Sequence, residues 1–199
     1  MQKETDMRLL LLSILALATV IGPPRNLEGQ APARDQELFL DLQNEKTSDA
    51  AAAQLLQHAK ENAETRDYLT SHLPVLIRNP KGGSIWLNSV RLAGELKIQE
   101  AAPVLADLLT KDTVTGGFID FHRVITLEND PPGRALALIG DPAIPAVAKI
   151  LETGDRDARF RAVYVLRNIG SPKAKDALRQ HLSAEKDPAI RSLIGVELK

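Results

Sequence analysis

The chain contains no cysteine. That excludes a disulfide framework, a lipid-modified cysteine, a zinc–thiolate site and a cysteine nucleophile together. Aromatic residues make up only 4%, with one tryptophan, and β-branched residues rarely cluster, so the usual filling of a sandwich or barrel is missing and helices are favoured. Neither charge is in excess: 25 basic against 26 acidic side chains leave a net −1. No long-range field therefore gathers nucleic acid or anionic lipid. A long hydrophobic run is lacking too. The apolar stretch Leu9–Ile21 would make a helix of roughly 20 Å, short of the ~30 Å hydrocarbon core of a bilayer.

That stretch still has a shape of its own. Lys3 and Arg8 precede it and Gly22-Pro23-Pro24 close it, the pattern of a secretory signal rather than of a membrane anchor. Small residues at cleavage spacing occur at Ala31-Pro32-Ala33 and, within the apolar run itself, at Ala16-Leu17-Ala18. Taking Ala33 as the boundary, the expected organisation is a signal at 1–33, a polar or part-helical segment at 34–48, and a folded domain at 49–199. The chain is expected to be exported, periplasmic or secreted, with no stable membrane span once the signal is removed. An uncleaved anchor is the alternative.

The domain repeats itself. "HLPVLIRN" at His72, "EAAPVLADLL" at Glu100, "PAIPAVAKIL" at Pro142 and "KAKDALRQHL" at Lys173 align without gaps from the proline onward. Pro74, Pro103, Pro145 and Asp176 then fall 29, 42 and 31 residues apart, the period of stacked helical hairpins once one insertion is allowed. Ahead of each lies another apolar-periodic segment, and in the last of these Phe160, Val163, Val165, Leu166 and Ile169 recur near helical spacing. Each unit reads as a helix pair. Gly140 and Gly170 stop first helices; Asp141-Pro142 and Ser171-Pro172 are expected to cap and open second ones. "DPAIRSLIGVELK" starts a fifth unit without its second helix, a half repeat suited to capping the array or to pairing with another copy.

The stretches "RLAGELKIQEAAPVLADLL", "ALALIGDPAIPAVAKIL" and "DARFRAVYVLRNIGSPKAKDALRQHL" resemble HEAT repeats of the short kind first described in phycobilisome lyases. The resemblance implies an all-α fold, an α-solenoid of stacked antiparallel hairpins whose second helices line one side. It also implies Asp–Arg ladders between neighbouring turns, here Asp155, Asp157 and Asp187 with Arg159 and Arg191. It does not carry a lyase activity over, because repeat-level likeness specifies fold far better than function.

No catalytic, metal or cofactor-binding residue is assigned. The four histidines at 58, 72, 122 and 181 lack the one-turn spacing that sets two imidazoles on one metal. His181 aligns with core positions and is expected to be packed and hydrogen-bonded. Four residues after each aligned position stand Arg78, Asp107, Lys149 and Gln180, an exposed row of alternating sign that suits a protein or peptide better than DNA. The insertion, about 111–131, alternates like an extended segment in "FIDFHRVITL". Its Phe118 and Phe121 join the row as candidate protein-binding residues, since long interruptions of regular arrays often carry function. The expected role is a non-catalytic interaction or assembly scaffold with an unknown protein or peptide partner and no nucleic acid. A lyase- or chaperone-like protein holding a small ligand or client chain, and a self-assembling structural protein, are the other two readings.

Overall fold

The computed structural model describes residues 32–78, 83–111, 113 and 126–198, with the backbone of two short strands at 118–119 and 122–123. The apolar segment read as a signal lies outside the described residues. The described residues form ten α-helices. Helix α1 (Ala33–Leu42) precedes four pairs: α2 (Ser48–Glu61) with α3 (Ala63–Ile77), α4 (Gly83–Glu95) with α5 (Ala102–Asp107), α6 (Pro131–Ile139) with α7 (Ile144–Thr153), and α8 (Arg156–Ile169) with α9 (Pro172–Leu182). Helix α10 (Pro188–Glu197) ends the array as a single. The first helices α2, α4, α6, α8 and α10 pack each on the next, and the second helices α3, α5, α7 and α9 form the other layer. The fold is an α-solenoid. The described residues also include a two-residue antiparallel ladder in the insertion, β1 (Phe118–Ile119) against β2 (His122–Arg123), with Phe118 opposite Arg123. Among the described residues no helix is long and apolar enough to cross a membrane.

Short polar side chains start the helices and glycines stop them. Asn62, Asp130, Asp155, Ser171 and Asp187 each accept first-turn amides, opening α3, α6, α8, α9 and α10. Gly140 and Gly170 end α6 and α8 at φ of +80° and +67°, a conformation that a Cβ resists. Two expectations are corrected. Asp141 does not cap α7: it opens a 3-10 turn, Asp141–Ala143, whose last residue leads into the helix without a side-chain cap. Pro74 is not the counterpart of Pro103 and Pro145, which sit in the first turns of α5 and α7; it lies deep inside α3. Asn62 starts that helix well upstream, so the proline removes an interior hydrogen bond, and packing of Leu69, Leu73 and Ile77, all fully buried, carries the helix past it.

The buried side chains form one continuous core from Leu38 to Ile194. Helix α1, in the segment read as polar or part helical, contributes Leu38, Phe39 and Leu42 to it. At the α4–α6 contact a Cβ built on Gly94 would lie 2.8 Å from the Ala135 Cα, so glycine lets two first helices approach backbone to backbone. At the far end α10 buries Ile190 and Ile194 and half-buries Leu193 and Leu198, leaving Val196 as its exposed large hydrophobic. The half unit thus covers the preceding hairpin with most of its apolar face.

Candidate interaction surface

Among the described residues Arg161, to which the sequence assigns no role, is the most heavily hydrogen-bonded side chain. It lies on α8 in phase with Ala158 and Val165, on the buried face, and is 3% exposed. A guanidinium there needs all its donors satisfied. Its Nε and Nη2 donate to the two carboxylate oxygens of Asp130 at 2.8 and 2.6 Å. Nη1 donates to the carbonyls of Leu108, Leu109 and Lys111, and Nη2 also to Thr113 Oγ1. Asp130, 2% exposed, accepts the Gly133 amide as the cap of α6 as well. One side chain therefore grips both roots of the insertion, residues 108–113 on one side and Asp130 on the other.

The second root enters a hollow. Between α4 and α6, beside Leu127 and Glu128 of the insertion, lies a cavity of about 310 Å³. Its lining includes Leu87, Val90, Ala135 and Leu138, of which Leu87 and Leu138 stay 40% and 36% exposed. Arg91, Arg134, Glu95 and Glu128 stand around it. The Arg91 guanidinium donates to Asn88 Oδ1 at 3.2 Å. Asn88 is itself held across to α2 by Ser48 and Asp49. No side-chain hydrogen bond or ion pair joins Arg134, Glu95 or Glu128 to another described residue.

The buried acids elsewhere tie helices together. Asp35 of α1 takes Thr65 Oγ1 of α3 on one oxygen and His58 Nδ1 of α2 on the other, the latter at 2.6 Å. Glu185, between α9 and α10, receives Arg159 Nε and Nη2 at 2.9 and 3.0 Å, the amides of Lys186 and Asp187, and a contact from His181 Nε2 at 2.9 Å. The expected ladder is present with different rungs. Asp187 pairs with Arg156 at 2.7 Å, Arg159 reaches Glu185, and Arg191 reaches the Glu185 carbonyl. His181 is packed and bonded as the alignment implied.

Burial works against the charge of Glu185, but the hydrogen bonds from Arg159, the Asp187 amide and His181 prevail and hold its carboxyl at about 2. A carboxyl depressed in the folded state contributes stability above its unfolded value, near 4.3, and loses it as pH falls through the folded one. The stability gap between wild type and Glu185→Gln is therefore expected to be full above about pH 4.5 and to close toward pH 2. Urea midpoints across that range check it. A gap independent of pH would contradict the assignment.

Of the residues proposed from sequence, Arg78, Asp107, Lys149 and Gln180 are all exposed, at or near the ends of α3 and α5 and along α7 and α9. Gln180 borders a smaller hollow between α7 and α9. Phe118 belongs to β1 by its backbone, and Phe121 lies outside the described residues. The row and the α4–α6 hollow are carried by different helix layers. Among the described residues no cluster of three metal-ligating side chains occurs.

Residues 133–199 match the family model for HEAT repeats. No curated protein and no solved structure matches the chain. The matched stretch runs from the first turn of α6 through α10, and supports a HEAT-like repeat family. The same stacking of helix pairs continues back to α2.

Proposed function

We propose that this chain is a non-catalytic protein-interaction module that works outside the cytoplasm of a bacterial cell. The observation that carries the interaction role is the α4–α6 hollow: apolar side chains left partly exposed on a rigid helical layer, ringed by charged groups without mutual partners. HEAT repeats present such surfaces by stacking. The non-catalytic part is supported by the buried ionisable groups Asp35, Asp130, Arg161 and Glu185, which are all engaged in joining one helix to another. Export is supported by Lys3, Arg8 and the apolar run Leu9–Ile21.

The start of α1 bears on processing. The Pro32 carbonyl accepts the Asp35 and Gln36 amides at 2.8 and 3.2 Å, so a chain beginning at Arg34 would lose the backbone acceptor of those two amides. Cleavage after Ala18 keeps it. The intact mass of the exported protein is expected to include Pro32; a mass beginning at Arg34 would overturn this placement.

The interaction role is tested by capture from a bacterial envelope extract with the full chain carrying a C-terminal tag, against a folded unrelated helical protein. A protein retained specifically and in stoichiometric amount supports the reading. Retention of nothing, together with a small molecule found in the purified protein by mass spectrometry, would replace it with a ligand-binding role.

A further inference from the structure

We draw no further inference here: the strongest candidate, the partly apolar hollow between α4 and α6 bordered by Leu87 and Leu138, belongs to the surface already described, and with both arginines and glutamates in its lining nothing in the structure shows what covers it.

Discussion

Replacing Asp130 with alanine is expected to lower the unfolding free energy by about 3–5 kcal/mol, the range seen when one member of a buried ion pair is removed. Asp130 and Arg161 are 2% and 3% exposed. Without the carboxylate, the guanidinium keeps its carbonyl partners at Leu108, Leu109 and Lys111, but its charge is left in the interior uncompensated. The loss exceeds that of an ordinary cap, although α6 also loses its Asp130 cap in the same substitution. Arg161→Met should be costly for the complementary reason: three carbonyls, a threonine hydroxyl and a buried carboxylate lose their donor. The double variant is expected to cost clearly less than the sum, because both singles break one network. Urea unfolding of the four proteins measures this. Additive effects, or singles below about 1 kcal/mol, would mean that the pair does not hold the insertion. The functional consequence follows from position, since Asp130 adjoins the turn that brings Leu127 and Glu128 to the hollow.

The second large effect is expected at Leu105. It is fully buried in α5, and truncation to alanine should cost about 2–5 kcal/mol through lost burial and the cavity left behind. Lys149, exposed on α7, belongs to the same helix layer and should tolerate alanine within about 0.5 kcal/mol. Calorimetric melting of the two variants separates them. Equal melting temperatures would contradict the burial pattern of the second helices.

Much of the solenoid could be read from the chain because its signals are local. Gly140 and Gly170 do stop helices at positive φ, Ser171 and Asp187 do cap them, and the apolar stripe of α8 does bury Val163, Val165 and Leu166. Pro74 misled because a proline marks a first turn only where no stronger signal precedes it, and Asn62 capped α3 upstream. The clamp was missed for a different reason. Arg161 sits on a buried face where a charge is unexpected, and its partner lies at the end of an insertion. A faint signal existed: Asp130 and Arg161 are 31 residues apart, as are Arg156 and Asp187, while Arg167 and Glu197 are 30 apart. Opposite charges one repeat apart are brought side by side by stacking, so the period that exposes the repeat also proposes its ion pairs. The hollow had no sequence signal. Leu87, Arg91 and Leu138 become a surface only when Gly94 draws α4 against α6.

A protein partner seated on the first-helix layer would shield the backbone amides beneath it. Hydrogen exchange followed by mass spectrometry, on the full chain with and without its captured partner, reads that shielding. Slowed exchange concentrated in residues 83–95 and 127–139 is the predicted result. Slowed exchange confined to residues 144–153 and 172–182, on the helices that carry Lys149 and Gln180, would contradict it.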